Sequence, residues 1–537
     1  MNVELIKSRT SNYIMKKFCI LLSCLYSSFA FSQANQEAAL FAKSIQANDL
    51  KAIVYDLTSD EFEGRETGKL GQKKTAEYLQ EKFKSFGIPP VIKGMSYLQT
   101  FHLYEEYPGE VNIQINNKNY QFLKDFYCFN NFSDLHIEFN SIVFAGYGIN
   151  DPEADYNDYK NLDVKGKVVI VLEDEPISKS GISRITGTFE LSQWSQRRNI
   201  KSLEAKKQGA LALIQVSRNI ENDLKYLKHY LESPKTTLVD NEEKKGFPTF
   251  YISKEIANEL FINHNPKSSY EAVKDLFRKK KNLKGYELNN SQGKISVKRE
   301  RINITGENVL AYIEGTDLKD ELIVITAHYD HLGKHDGKIY YGADDNGSGT
   351  AAIIEIAEAF MIAKKAGFAP RRSILIMPVS GEEKGLLGSQ YYTDNPIFPL
   401  ENTVCNLNID MIGRMDKDHK NDPNYVYIIG SDKLSSELHA ANENNNSAFT
   451  NIKLDYRYNV ENEPNQLYYR SDHYNFAKNN IPCIFYFTGL HEDYHQPSDT
   501  PDKLHYEKME TITRLIFYTA WDIANRDKRL VVDSNKK

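Results

Sequence analysis

The sequence predicts an α/β fold: a mostly parallel sheet covered by helices, interrupted by a β-rich insert. Three observations predict it. The apolar runs "LIVIT" (322–326), "SILIMPVS" (373–380), "VCNLNI" (404–409) and "PCIFYF" (482–487) read as strands buried on both faces. The helical stretch "TAAIIEIAEAFMIA" (350–363) falls between the first two, the alternation expected of a parallel sheet. From roughly residue 110 to 295 the texture changes to short β-rich runs, "NSIVFAGYG", "KGKVVIVLED", "GALALIQV" and "FPTFYIS", between polar segments.

At 537 residues the chain is long enough for two domains or for one domain with a large insertion. Its start reads as an export signal over residues 15–32. "MKKFCILLSCLYSSFAFSQA" opens at Met15 with two lysines, continues with an apolar stretch and ends on small residues, with cleavage after Ser32. Residues 1–14 then lie upstream of the true Met15. A lipoprotein reading through Cys24 is weaker, because the apolar stretch runs well past it. The mature protein is expected to be exported, periplasmic or extracellular. It should lack a membrane span, since no later apolar run approaches the ~20 residues that a spanning helix needs. Cys19 and Cys24 leave with the signal; Cys128, Cys405 and Cys483 remain, so disulfides do not define the fold.

"TAEYLQEKFKSFG" (Thr75 to Gly87) predicts a helix, with Ala76, Leu79, Phe83 and Phe86 on one face and Gly87 as the stop. The expected organisation is 33–110 as the first part of the main domain, 111–295 as the insert, and 296–530 as the remainder. A net charge of −6 and the lack of a basic block interleaved with aromatics argue against nucleic-acid binding. "RKKKNLK" (Arg278 to Lys284) reads as a solvated helix end.

The chemistry gathers just beyond the predicted strands. His328 follows "LIVITA", Glu382 and Glu383 follow "SILIMPVSG", Asp410 follows "VCNLNI", and "HEDYHQPSDT" comes soon after "PCIFYFTGL". Open α/β sheets bind ligands outside the carboxyl ends of their strands. Four strand ends would therefore deliver histidines and carboxylates into one crevice. Imidazoles mixed with carboxylate oxygens suit zinc or a related divalent ion. Two ions roughly 3.5–4 Å apart would need a bridging carboxylate between them. "GADDNGSG" does not fit a calcium loop, because aligning Gly347 with the EF-hand glycine puts Gly342 and Ile353 at the first and last ligand positions. Alone, that stretch reads equally well as a turn capping the next helix; the ordered set is what argues for metal.

The set "AHYDHLG", "GADDNGSGTAA", "SGEEKGLLGS", "NIDMIGR", "RSDHYNFA" and "DYHQPSDT" resembles the M28 family of zinc aminopeptidases over roughly residues 300–520. "LTSDEFEGRETGKLGQKKTAEYL" (57–79) resembles the opening of that family's catalytic domain, and the middle resembles an inserted protease-associated (PA) domain. The resemblance implies a zinc-exopeptidase (phosphorylase/hydrolase-like) fold, two zinc ions and peptide substrates. It implies one zinc on His328 and Asp410 and the other on Glu383 and His495, with Asp345 as the bridge. Asp330 would orient His328, and Glu382 would act as general base.

Tyr494 matches the family position that can hydrogen-bond a tetrahedral oxyanion, with Tyr468 as its rival. Arg414 and Ser471 to His473 match family positions without an assigned step. His331, His335 and His491 fit no ligand position and read as solvated or structural. The family and its fold leave open an aminopeptidase, a carboxypeptidase or dipeptidase, a one-zinc glutaminyl cyclase, and a receptor-like member without metals. The complete ligand set favours the two-metal peptidase. Arg414 is the only cation in these motifs expected near the metals, which favours reading a free α-amine over a substrate carboxylate. The middle segment is expected to carry no catalytic residue and to restrict substrate size.

Overall fold

The computed structural model describes residues 36–92, 95–239, 246–279, 283–420 and 422–533. The expected signal segment 15–32 lies outside them. The chain divides into two compact units: Leu103–Ile304, and the flanking segments up to His102 and from Thr305 onward.

The flanking unit includes, after a short helical stretch at 36–44, α1 (Ala47–Leu57) and α2 (Leu70–Phe86). The second of these starts five residues before the predicted Thr75 and stops at Gly87, whose φ of 84° is the left-handed conformation that glycine adopts without strain. There follow β1 (Ala311–Ile313), β2 (Leu318–His328), α3 (Gly349–Lys365), β3 (Arg372–Val379) and β4 (Thr403–Ile409). The rest comprises β5 (Tyr425–Ile429), α4 (Ser436–Asn445), β6 (Lys453–Asp455), β7 (Cys483–Phe487) and α5 (Tyr506–Asn525).

The seven strands form one sheet in the order β1-β3-β2-β4-β7-β5-β6. Pairs β2/β3, β2/β4, β4/β7 and β5/β6 are parallel; β1/β3 and β5/β7 are antiparallel. Every residue of β3, β4 and β7 is buried, which explains their unbroken apolar runs. In β2, Ile323, Ile325 and Ala327 enter the larger core, while Leu322 and Val324 enter a second core. Each fully buried aliphatic side chain contributes roughly 1.5–3 kcal/mol before conformational costs. In the larger core Phe360 of α3 stacks on Trp521 of α5 at 5.8 Å. The parallel register sets His328 beside Val379, Thr326 beside Asn408, and Ile409 beside Tyr486, so the carboxyl ends of four strands meet on one side.

In the unit Leu103–Ile304, a six-stranded sheet holds the predicted β-rich runs, with Ile142–Phe144, Val168–Val171, Ala212–Val216 and Thr249–Ile252 parallel at its centre. Helices Ile220–Glu232, Lys254–His264 and Tyr270–Lys279 join them, an addition to the β-rich texture. Tyr270, Val273 and Phe277 supply the last helix with a buried face at helical spacing. Cys128, Cys405 and Cys483 are free and buried. Among the described residues no helix is long and apolar enough to cross a membrane.

Candidate metal centre

Each acidic or imidazole group enters from a strand end or from the loop that follows one. His328 is the last residue of β2, and Glu382 and Glu383 stand just beyond β3. Asp410 follows β4 directly, and His495 lies on the segment after β7. Asp345 sits in the turn that leads into α3.

Asp345 lies between two imidazoles. Its Oδ1 is 3.3 Å from His328 Nε2 and its Oδ2 is 3.1 Å from His495 Nε2. His328 Nε2 also lies 3.4 Å from Asp410 Oδ1, and His495 Nε2 lies 3.2 Å from Glu383 Oε2. Two close groups could hold cations: His328, Glu382 and Asp410, and His331, Asp345 and Glu383. His331, set aside in the sequence, is fully buried with Nδ1 2.8 Å from Glu383 Oε1. Glu383 is thus shared between two imidazoles. Among the described residues, none from 103–304 enters either group.

The electrostatics show an excess of negative charge. Burial would lower His495, but its hydrogen bonds to Asp345 and Glu383 push it up to about 10. His328 behaves likewise: burial opposes its charge, yet Asp410, Glu382 and Asp345 hold it well above the usual imidazole value. Burial would raise Asp345, which His328 and His495 instead hold well below the usual carboxylate range. Glu382 is raised well above that range by burial, against the pull of His328 and with Glu383 and Asp410 adding to it. Surroundings that draw protons onto His328 and His495 are ones that a cation would occupy favourably.

The supporting contacts are specific. His328 Nδ1 faces the backbone carbonyl of Asp330 at 3.0 Å, with the Asp330 carboxylate farther away at 3.8 Å. That carboxylate instead accepts from Thr67 Oγ1 at 2.7 Å and from the Glu382 N–H at 3.3 Å. It therefore places Glu382 as well as the chain around His328. Ser471 Oγ donates to Asp410 Oδ2 at 2.8 Å, Asp472 accepts from Ser389, and His473 stacks on Phe485 with burial pulling it down to about 3. His491 meets Asp344 at 3.3 Å, and His335 is exposed on the Leu332 carbonyl. The N–H groups of Asp344 and Asp345 both donate to Asp499.

Tyr494 lines the chamber with Glu382, Asp410 and His495, and its ring stacks on His495 at 3.9 Å. Tyr468 faces His473 instead, under the Lys433 ammonium, and does not line the chamber. Arg414 is committed to Asp493 at 3.0 Å.

Three features escaped the sequence reading. Arg65 is fully buried, and its guanidinium donates to the carbonyls of Leu57, Tyr329, Tyr341 and Gly342, each at 2.8 Å. Gly64 beside it has φ 70°, and a Cβ there would come within 2.4 Å of the Tyr340 carbonyl. The third is Arg470, which lines the chamber with Leu467, Phe485, Phe487 and Leu490. The only sequence signal for Arg65 and Gly64 was the resemblance of the surrounding stretch; for Arg470 it was the motif "RSDHYNFA".

The model of peptidase family M28 matches residues 308–520, which contain Asp345 and, arranged about it, His328, Glu383, Asp410 and His495. This segment belongs to peptidase family M28. Over 214 residues the chain is 30% identical to a probable leucine aminopeptidase of Arthroderma otae, covering 38% of this chain and 55% of that protein. Over 123 residues the chain is 34% identical to aminopeptidase NAALADL1 of Mus musculus, covering 22% of this chain and 16% of the relative. Over 115 residues it is 33% identical to probable glutamate carboxypeptidase AMP1 of Arabidopsis thaliana, covering 21% and 15%. The matches therefore span from 15% to 55% of the length of these relatives. The solved structure of an aminopeptidase from Aneurinibacillus sp. strain AM-1 superposes with a TM-score of 0.52 at 19% identity, covering 92% of this chain and 98% of that one. That likeness extends the shared fold beyond the M28 segment.

Proposed function

We propose that the protein is an exported zinc metallo-exopeptidase, an aminopeptidase that removes N-terminal residues from peptides. The observation that carries the reading is Asp345, with one carboxylate oxygen toward His328 and the other toward His495. His328 and Asp410 would hold one zinc, Glu383 and His495 the other, and Asp345 would bridge them. His331 would hold Glu383 in place through its Nδ1. When bound, the zinc pair supplies Lewis-acid polarisation of the scissile carbonyl and of water.

Within this frame the chain's own groups divide the remaining work. Glu382, poised high by its buried and acidic surroundings, takes the proton of the attacking water and delivers it to the leaving amine. The Tyr494 hydroxyl, on the chamber wall, donates to the developing oxyanion. Asp330 positions Glu382 by accepting its backbone N–H. The carboxylates of the chamber would also hold the free α-ammonium of the substrate.

Metal content together with the cleavage of free and N-acetylated peptides tests the proposal. About two zinc ions per chain and cleavage confined to unblocked peptides support it. About one ion or none after zinc is supplied would overturn the two-metal site. Efficient cleavage of N-blocked peptides would overturn the aminopeptidase reading in favour of a carboxypeptidase; Arg470 on the chamber wall is the observation that keeps this second reading in view.

A further inference from the structure

Beside the chamber lies a second, larger cavity of about 1020 Å3, and the two share Leu467 and Leu490 as a common wall. The chamber offers about 40 Å3. A single water needs roughly 10–15 Å3 on this measure, so little of a peptide beyond its first residue fits there. The neighbouring cavity has room for the chain on the leaving-group side.

That space is lined by cations. Lys417 and Lys420 are exposed there, and neither has a carboxylate partner among the described residues. Arg470, exposed on the chamber wall next to Leu467, likewise has no ion-pair partner among them. The acids nearby are already engaged. Asp416 accepts from Tyr427 at 2.6 Å and faces His419 at 2.9 Å. Asp493 is held between Arg414 and Lys503. Glu492 projects into solvent, 3.7 Å from Arg414. A carboxylate-rich chamber thus opens beside a cavity with unspent positive charge.

Building on the exopeptidase reading above, we propose that the cavity lined by Lys417 and Lys420, with Arg470 on the wall of the adjoining chamber, binds a substrate carboxylate on the leaving-group side. The preferred substrates are then unblocked peptides carrying a carboxylate within the first few residues after the scissile bond. Two sources share that chemistry: an acidic side chain, or the C-terminus of a short peptide.

The zinc-loaded full chain tests this with matched peptides whose first residue, X, is the one whose anilide is cleaved fastest. X-Gly-Gly against X-Gly-Gly-amide isolates the terminus, and X-Gly-Glu-amide against X-Gly-Gln-amide isolates the side chain. Two or three partly exposed charge pairs should lower KM about 3- to 10-fold for the carboxylate member of a responding pair. The advantage should shrink between 0.05 and 1 M salt, as the Debye length contracts to about 3 Å. In Lys417→Gln/Lys420→Gln and in Arg470→Gln the ratio should move toward one while thermal unfolding stays unchanged. The responding pair identifies the source. Cleavage of both members of each pair with equal KM overturns this inference and leaves the peptidase reading standing. A ratio that survives both variants also overturns it, because the carboxylate is then read elsewhere. If neither anilide nor peptide is cleaved by the zinc-loaded chain, the failure belongs to the peptidase reading itself.

Discussion

The carboxylate of Asp499 accepts the backbone N–H of Asp345 at 3.1 Å, fixing the turn that aims both oxygens of Asp345 at imidazoles. Asp499 also accepts the N–H of Asp344, so one side chain holds two successive amides. Asp499→Asn replaces one acceptor with a donor facing those amides. Zinc affinity should fall by about 10- to 100-fold, the usual cost of losing an outer-shell partner. Competition with a chelator measures it, and excess zinc should restore part of the turnover. Unchanged affinity would show that the turn holds itself.

Glu382→Gln should retain its metal and lose about 10²–10⁴-fold in kcat, since it keeps the shape of the side chain and removes the base. Glu383→Gln should lose metal first, because Glu383 meets both His331 and His495. Metal analysis beside turnover separates the two. Equal metal loss with turnover preserved in Glu382→Gln would reverse the roles.

Tyr494→Phe should lower kcat by about 10²-fold or more if its hydroxyl serves the oxyanion, with little change in KM. Tyr468→Phe is the comparison, because its ring faces His473 rather than the chamber. A larger effect at Tyr468 would transfer the role.

Arg65→Lys should destabilise the protein by at least about 2 kcal/mol, because an ammonium cannot reproduce a planar fork that reaches four carbonyls. The urea midpoint should drop. A midpoint within error of the wild type would mean that water replaces the lost donors.

Lys508 lies buried with its ammonium 3.6 Å above the Tyr425 ring, and burial lowers it to about 7. In the unfolded chain a lysine titrates near ~10.4. Between those values the unfolded state binds more protons, so this residue's contribution to stability rises with pH from about 7 to about 10. Urea midpoints of the wild type and Lys508→Met at pH 7 and pH 9 should move apart in favour of the wild type. A constant difference would place no proton linkage at Lys508.

The strands that carry the site were readable because each is buried on both faces, which leaves unbroken apolar runs ending at His328, Val379, Ile409 and Phe487. Asp345, on a turn rather than a strand end, took its role from the family resemblance alone. Arg65 and Thr67 act through partners more than 260 residues away, and nothing in local periodicity reports such contacts. The cations Lys417 and Lys420 were invisible for another reason: they stand on a loop outside every motif, while Arg414, the motif charge that was weighed, is occupied by Asp493, and Arg470 stood in "RSDHYNFA" with nothing to mark it as unpaired.

Arg65 and the Tyr329 carbonyl it grips are 264 residues apart, with the whole of Leu103–Ile304 between them. At a translation rate of roughly 5–20 residues per second, about 13 to 50 seconds separate their emergence from the ribosome. Throughout that interval α1 and α2 wait with their apolar faces unclaimed, while the intervening unit has all of its residues and can fold first. The nascent chain therefore has a long window in which those two helices are bait for aggregation or for a chaperone, and the group of side chains about Asp345 is complete only after His495 has been made.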